Sequence, residues 1–123
     1  MGRFKVRFKV CSIRDPNKCK EVEGWVDTGA TLSVIPKEIL EELGIEPKRE
    51  QDFGLAACGL RIRRKVGSAN IRIRVNGKEE EVTTEVVFGE KGDIVLLGVD
   101  VFEHLGLKID PKTGKIIQEL AYL

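Results

Sequence analysis

The most informative part of the sequence is residues 25–36, Trp25-Val26-Asp27-Thr28-Gly29-Ala30-Thr31-Leu32-Ser33-Val34-Ile35-Pro36. It places a carboxylate, Asp27, between the end of an apolar strand and a tight turn of small residues. Aspartate is seldom buried without a partner, so Asp27 requires an explanation. One explanation is structural, because Asp-Thr-Gly can form an Asx turn in which the carboxylate accepts a main-chain hydrogen bond. The other is chemical and depends on the rest of the chain.

A β-hairpin precedes this motif. Residues 4–10 alternate apolar and basic side chains, which predicts a strand with one buried face. The turn Asp15-Pro16-Asn17-Lys18 then leads into a second strand over residues 19–26. A hairpin closed by that turn would place Cys11 opposite Val22 rather than Cys19. We therefore expect reduced thiols and no disulfide between these two cysteines.

The segments that follow alternate short strands with turns, and they predict an all-β domain spanning residues 1–123 with one or two short helices. Asn76-Gly77 is a strong hairpin signal, and the apolar run Ile94–Leu97 ends at Gly98. Asp100 is a candidate N-cap for the second helix. The expected elements are a strand at 31–35, a helix at 37–43, a hairpin over 51–75 with its turn near Ala57-Cys58-Gly59, strands at 80–88 and 94–97, a helix at 101–105 and a hairpin through 110–114.

Composition limits the class of protein. The chain has 123 residues, of which 41% are hydrophobic and 33% charged, which is typical of one soluble globular domain. Twenty-one basic residues against 20 acidic ones give a net charge of +1, which provides no general attraction for nucleic acid or an anionic membrane. The N-terminus has no signal-peptide pattern, and residues 94–97 form the longest apolar run, so we expect a cytoplasmic protein without a membrane partner.

Other kinds of site have weaker support in the sequence. His104 and the three cysteines lack the spacing of a zinc site, and we expect no metal and no cofactor. A serine triad would need His104 beside a serine, and no G-x-S-x-G context exists. A cluster of basic residues could form a local nucleic-acid patch, although the acidic run 79–81 would partly neutralise it. Its members are Arg61, Arg63, Arg64, Lys65, Arg72 and Arg74.

In these motifs the sequence resembles the retropepsin-like aspartic proteases, especially their small non-viral members. The resemblance covers about residues 4–117. It rests on Val26-Asp27-Thr28-Gly29-Ala30-Thr31, Leu40-x-x-Leu43-Gly44-Ile45, Leu96-Leu97-Gly98-Val99-Asp100 and Leu105-Gly106-Leu107-x-Ile109-Asp110-Pro111. It implies a closed acid-protease barrel and a homodimer that hydrolyses peptide bonds, with one aspartate from each chain.

The resemblance also implies roles for individual residues. Asp27 corresponds to the catalytic carboxylate, Thr28 to the threonine that grips the partner chain, and Gly29 to the glycine that lets the loop approach the substrate. Thr31 and Val99 replace an acid–arginine pair found in many viral members. The candidate substrate-binding residues are Ala30, the flap turn Ala57, Cys58 and Gly59, and the pocket walls Ile94 and Leu96.

Three alternatives remain open. Ile94 and Leu96 could be core residues rather than pocket walls, and Cys58 could be a small buried hydrophobe. The chain could also be a catalytically inactive dimerisation or peptide-binding module that keeps the fold.

Overall fold

The first strand has the predicted alternation. In this computed structural model, which describes residues 4–120, 122 and 123, β1 spans Phe4–Cys11. Phe8 and Val10 are buried, whereas the basic residues that alternate with them are exposed. One face of β1 therefore lines the core and the other faces solvent, as is common for strands in antiparallel pairs.

The strands close into a barrel. The elements after β1 are β2 (Cys19–Asp27), β3 (Ser33–Pro36), α1 (Lys37–Glu42), β4 (Arg49–Gly54), β5 (Arg61–Val75), β6 (Lys78–Gly89), β7 (Leu96–Gly98), α2 (Val99–Leu105), β8 (Leu107–Ile109) and β9 (Ile116–Gln118). The main sheet has the order β1-β2-β7-β3-β6-β5-β4, and β1 also pairs with β5. Six strands thus form a closed ring with β4 as an outer edge, which confirms the predicted barrel with short helices.

The first hairpin corrects the prediction for the cysteines. Cys11 pairs directly with Cys19 in the β1–β2 ladder, and a disulfide joins them. The connection is wider than the expected four-residue turn because it begins at Ser12, whose N–H donates to the carbonyl oxygen of Lys18 at 2.9 Å. Ser12 Oγ also accepts the N–H of Asp15 at 3.3 Å. The expectation of Cys11 opposite Val22 with free thiols is therefore wrong.

Two parallel pairings bring distant parts of the chain together. β3 lies parallel to β6, and β2 lies parallel to β7. In the second pairing Asp27 is the partner of Gly98, so the Asp-Thr-Gly motif and the downstream glycine meet at one end of the barrel. This juxtaposition is the basis of the candidate site.

The core fills the barrel and extends under both helices. Leu40 of α1 and Val101 of α2 are fully buried, and each fixes its helix against the strands. Truncation of such a side chain to alanine typically costs about 2–5 kcal/mol. Among the described residues, no helix has the length and apolar character needed to cross a membrane.

The segment around Gly98 differs in detail from the sequence prediction. The strand is β7, Leu96–Gly98, rather than residues 94–97. The following helix begins at Val99, with Gly98 as its N-cap and no side-chain cap, so the prediction of Asp100 as N-cap is wrong. The N–H of Asp100 instead donates to the carbonyl oxygen of Thr31 at 3.1 Å, because the helix start packs against the Asp-Thr-Gly loop.

Candidate active site

Asp27 ends β2 and begins a tight turn. Its Oδ1 accepts the N–H of Gly29 at 2.9 Å, and its carbonyl oxygen accepts the N–H of Ala30 at 3.1 Å. The Asx turn considered from the sequence is therefore present. In the described part of the chain no hydrogen bond reaches Oδ2, and the side chain is only half-buried. One carboxylate oxygen is thus oriented by the turn, while the other is available to a ligand.

Gly29 lies close to the Asp27 carboxylate. A Cβ at this position would lie 3.2 Å from Asp27 Oδ1, which is tighter than most contacts of a real Cβ. A larger side chain would therefore crowd the carboxylate itself, a constraint that the sequence argument did not identify. Thr28, between the two residues, is exposed at the tip of the turn. Its grip on a partner chain stays a prediction.

Gly98 packs directly behind the loop. A Cβ there would lie 2.6 Å from the carbonyl carbon of Leu32 and 2.8 Å from the carbonyl oxygen of Thr31. Both atoms belong to the backbone and cannot move aside cheaply. Glycine is therefore the residue that lets β7 approach the Asp-Thr-Gly loop.

A buried serine completes this contact. Ser33 is 1% exposed, and its Oγ accepts the N–H of Gly98 at 2.9 Å. Sequence reasoning missed Ser33 as a residue of the site. A hydroxyl between the apolar residues Leu32 and Val34 is the signal that could have identified it, because a buried polar group needs a partner.

Main-chain hydrogen bonds join the segments that contain Thr31 and Val99, the two positions that replace the viral ion pair. The N–H of Val99 donates to the carbonyl oxygen of Ala30 at 2.8 Å. The adjacent hydrogen bond between Asp100 and Thr31 extends this link. The loop is thus anchored to the start of α2 without a charged pair between residues 31 and 99.

The candidate pocket walls differ in exposure. Leu96 is half-buried and pairs with Trp25 on one side and Val34 on the other. Ile94 is 51% exposed, so its interpretation as a core residue is wrong. The carbonyl oxygen of Val95 accepts the N–H of Trp25 at 2.9 Å, which holds this segment beside β2. Ala30 is half-buried in the turn. Contact of these side chains with a substrate stays a prediction.

The β4–β5 hairpin, which we call the arm over residues 49–65, carries the turn predicted near Ala57-Cys58-Gly59. The N–H of Leu55 donates to the carbonyl oxygen of Leu60 at 2.7 Å, and Gly59 adopts φ +69°. All residues of the turn are exposed, including Cys58, which is a free cysteine. The alternative interpretation of Cys58 as a buried hydrophobe is wrong. The hydrogen bonds of the turn remain within the arm, on a different element from Asp27.

One ion pair links the arm to the segment before β7. Arg64 donates to Asp93 through Nε at 2.7 Å and through Nη2 at 2.9 Å. The Arg64 guanidinium holds the pKa of the Asp93 carboxyl below its usual value, and Asp93 in turn raises the pKa of Arg64. A second ion pair, Lys37 to Glu90 at 2.8 Å, holds the same segment against α1.

Three of the six members of the basic cluster are paired with carboxylates. Arg63 pairs with Asp52 at 3.0 Å, Arg64 pairs with Asp93, and Arg72 pairs with Glu81. The neutralisation expected from the acidic run 79–81 therefore occurs at Arg72. These contacts leave less positive charge for nucleic acid than the residue count suggests.

Other chemistry has little support in this geometry. His104 is exposed, and its Nδ1 lies 3.0 Å from the carbonyl oxygen of Asp100, as expected for a surface residue. Within residues 4–120, no group of three or more histidine, cysteine, aspartate or glutamate side chains is arranged to hold a metal ion.

Solved structures with this fold come from a virus, a protozoan and a bacterium. The EIAV protease complexed with the inhibitor HBY-793 is 20% identical, with a TM-score of 0.52 over 89% of this chain and 93% of that chain. The retroviral protease-like domain of Ddi1 from Leishmania major is 16% identical, with a TM-score of 0.60 over 98% and 91%. A retropepsin-like aspartic protease from Rickettsia conorii is 26% identical, with a TM-score of 0.53 over 89% and 77%.

Sequence comparison agrees with the fold. No curated protein matches the chain at a significant level of similarity. A family model described as "gag-polyprotein putative aspartyl protease" matches residues 17–104, well over half of the chain, including the Asp-Thr-Gly turn and Gly98. The chain therefore belongs to this aspartyl protease family and has the retropepsin-like fold.

Proposed function

We propose that this protein is a cytoplasmic, homodimeric aspartic endopeptidase, built from one retropepsin-like domain per chain over residues 1–123. The observation that carries the proposal is the Asp27 carboxylate, on a loop anchored from behind by Gly98. Its Oδ1 is fixed by Gly29, and its Oδ2 has no hydrogen-bond partner among the described residues. Asp-Thr-Gly occurs once in the sequence. A second copy of the chain therefore supplies the second carboxylate.

The chemistry follows from placing two carboxylates close together. Two such groups cannot both ionise, so the pair shares a proton and titrates as a unit. The ionised Asp27 takes a proton from a bound water, which attacks the scissile carbonyl carbon. The protonated Asp27 of the other copy donates a hydrogen bond to the carbonyl oxygen and then helps to protonate the leaving amine. The mechanism requires no metal, cofactor or covalent intermediate.

The surroundings of Asp27 suit an extended peptide. Thr28 is exposed where it can grip the second copy, and the arm acts as a flap whose turn closes over the substrate. A peptide would lie as an added strand between the flap and the loop, with its side chains in alternating pockets. The substrate-binding residues in this proposal are Ala30, Ala57, Cys58, Gly59, Ile94 and Leu96. Their mostly apolar character favours apolar side chains around the cleaved bond.

The geometry of the Asp27 turn is also consistent with a second candidate function. The hydrogen bond between Gly29 and Asp27 stabilises the turn whether or not Asp27 reacts. The chain could therefore be an inactive dimerisation or peptide-binding module, for which Asp27 has only a structural role.

The Asp27→Asn substitution separates the two functions. Asparagine keeps an oxygen for the Gly29 N–H, so the fold is retained while the ionisable group is lost. We expect the wild-type protein to cleave a mixed peptide library at acid to neutral pH, to be blocked by a statine inhibitor, and to lose cleavage in Asp27→Asn. The matched control is Asp110→Asn, because Asp110 Oδ1 accepts the N–H of Lys112 at 2.9 Å in the same kind of turn.

Equal cleavage by the wild-type and Asp27→Asn proteins would contradict the proposed protease function. Gel filtration tests the dimer separately. A protein that runs only as a monomer at micromolar concentration would contradict a site shared between two copies.

A further inference from the structure

The arm leaves the barrel at Val66. From Val66 onward β5 pairs with β6, whereas residues 61–65 pair with β4 alone. The N–H of Lys48 donates to the carbonyl oxygen of Val66 at 2.8 Å and closes the base of the arm. The arm is thus a two-stranded ribbon joined to the barrel at one end, and a two-stranded ribbon has little stability of its own.

Arg64 connects this ribbon to the barrel two residues beyond its base. Its guanidinium forms a two-point contact with Asp93, and a third N–H donates to the carbonyl oxygen of Arg63 at 2.9 Å. The side chains of Arg64 and Asp93 are 18% and 21% exposed, which makes them the least exposed ion pair among the described residues. A planar, two-point contact with little solvent fixes orientation as well as distance.

Asp93 is itself held rigidly. Its Oδ2 also accepts the N–H of Glu90 at 2.8 Å, and its own N–H donates to the carbonyl oxygen of Glu90 at 2.9 Å. Gly92 supplies φ +91° within this turn. Lys37 at the start of α1 binds the Glu90 carboxylate, so the turn is fixed to the barrel from the opposite side.

The turn leads directly into the candidate pocket wall. Ile94 follows Asp93, Val95 is hydrogen-bonded to Trp25, and β7 then runs to Gly98 behind the Asp27 loop. The Arg64–Asp93 pair therefore joins the arm to the segment that carries Ile94.

We propose that Arg64 and Asp93 are positioning residues that hold the arm at a fixed height above the peptide-binding groove and so determine how tightly the substrate is held. This inference rests on the proposed protease function and assigns a role within it. Neither side chain needs to touch the substrate. Loss of the pair would let the arm and the Ile94 segment move independently, which weakens substrate binding more than the chemical step at Asp27.

Steady-state kinetics test this inference. In Arg64→Gln and in Asp93→Asn we expect KM for a peptide substrate to rise about tenfold while kcat changes less than about twofold. The KM of the double variant should be no higher than about that of the single variant with the larger increase, since both substitutions remove the same contact. Arg64→Lys keeps the charge but not the two-point geometry, and its KM should lie between the wild-type and Arg64→Gln values.

A matched control lies next to Arg64. Arg63 pairs with Asp52 of the same arm, and its side chain is 59% exposed. Arg63→Gln therefore removes an arginine ion pair without releasing the turn at Asp93, and we expect KM to stay at the wild-type value. A KM increase in Arg63→Gln equal to that in Arg64→Gln would overturn the inference, because any loss of arm charge would then have the same effect.

Hydrogen exchange gives a readout that does not depend on catalysis. We expect the amides of the arm and of residues 90–95 to exchange faster in Arg64→Gln and Asp93→Asn, whereas Arg63→Gln should leave residues 90–95 unchanged. Unchanged exchange in both segments of Arg64→Gln, or faster exchange with an unchanged KM, would each overturn the inference. If Asp27→Asn retains full cleavage, the proposed function fails, but the exchange data still decide whether the pair positions the arm.

Discussion

The N–H of Gly98 donates to the buried hydroxyl of Ser33 at 2.9 Å, although the two residues are 65 positions apart in the sequence. The bond joins the end of β7 to the start of β3 directly beneath the Asp-Thr-Gly loop. Gly98 cannot carry a side chain, because the backbone of Leu32 occupies that space. Besides its main-chain hydrogen bonds to the start of α2, the Asp27 loop is therefore held by one buried side-chain hydrogen bond and one steric constraint.

Ser33→Ala should destabilise the protein. It leaves the buried N–H of Gly98 without a partner, which costs about 1–3 kcal/mol. Urea unfolding followed by far-UV circular dichroism would measure the loss. Ser68→Ala is the control, because Ser68 is half-buried and forms no side-chain hydrogen bond among the described residues. An equal effect of both substitutions would contradict the role assigned to Ser33.

Gly98→Ala should have a larger effect on the site. The new Cβ would lie 2.6 Å from the Leu32 carbonyl carbon, so the loop must shift away from β7. We expect a loss of stability of about 3 kcal/mol and a strong loss of peptide cleavage, since Asp27 moves with the loop. Gly54→Ala is the matched control, because among the described residues no atom beyond its chain neighbours lies within 4 Å of its added Cβ and its φ is not positive. It should unfold within about 0.5 kcal/mol of the wild-type protein.

The sequence predicts the central residues of the site, but not the contacts that hold them in place. Asp27 and Gly98 could be identified because each lies at the end of an apolar strand, where a carboxylate or a glycine is unusual and indicates a special role. The Ser33–Gly98 hydrogen bond and the Arg64–Asp93 pair could not, because each joins segments whose distance depends on the closed barrel. A serine or an arginine has many possible partners, and sequence spacing does not select among them.

The hairpin register shows a different limit. The sequence predicts the turn Asp15–Lys18, but Ser12 widens the connection through its own hydrogen bonds to Asp15 and Lys18. The pairing therefore places Cys11 opposite Cys19. Loop residues that bond to the main chain determine the register, and hydrophobic alternation alone leaves it open.

The disulfide between Cys11 and Cys19 should stabilise the protein. Closing a loop with a sequence separation of 8 residues lowers the entropy of the unfolded chain and contributes about 2–3 kcal/mol. We expect dithiothreitol to lower the Tm of the wild-type protein. The Cys11→Ala/Cys19→Ala variant should have the lower Tm already and show no response to the reductant. Cys58→Ala is the control and should respond as the wild-type protein does, because Cys58 is free. If dithiothreitol left the Tm of the wild-type protein unchanged, the prediction would be contradicted.

The pH dependence of stability should reveal the Arg64–Asp93 pair. Asp93 has an ordinary pKa of 3.8, lowered in the folded protein by the Arg64 hydrogen bonds and by the N–H of Glu90. The charged groups that face the pair are the Glu90 carboxylate and, beyond it, Lys37. A lowered folded pKa means that the folded protein releases this proton more readily than the unfolded chain. The contribution of Asp93 is therefore fully present above pH 3.8 and disappears as the pH falls through the lower folded value.

Asp93→Asn isolates this contribution from that of Glu85, whose pKa is also lowered by an arginine, Arg49. At pH 6 we expect the wild-type protein to exceed Asp93→Asn by about 2 kcal/mol in its free energy of unfolding. The difference should shrink steadily below pH 3.8, as measured by urea unfolding at a series of pH values. Asp52→Asn removes the exposed partner of Arg63 and should differ from the wild-type protein by less than about 0.5 kcal/mol throughout. If the difference in free energy of unfolding between the wild-type protein and Asp93→Asn stayed constant down to pH 2, the prediction would be wrong. Protonation of Asp93 would then cost no stability, which would mean that its negative charge does not stabilise the fold.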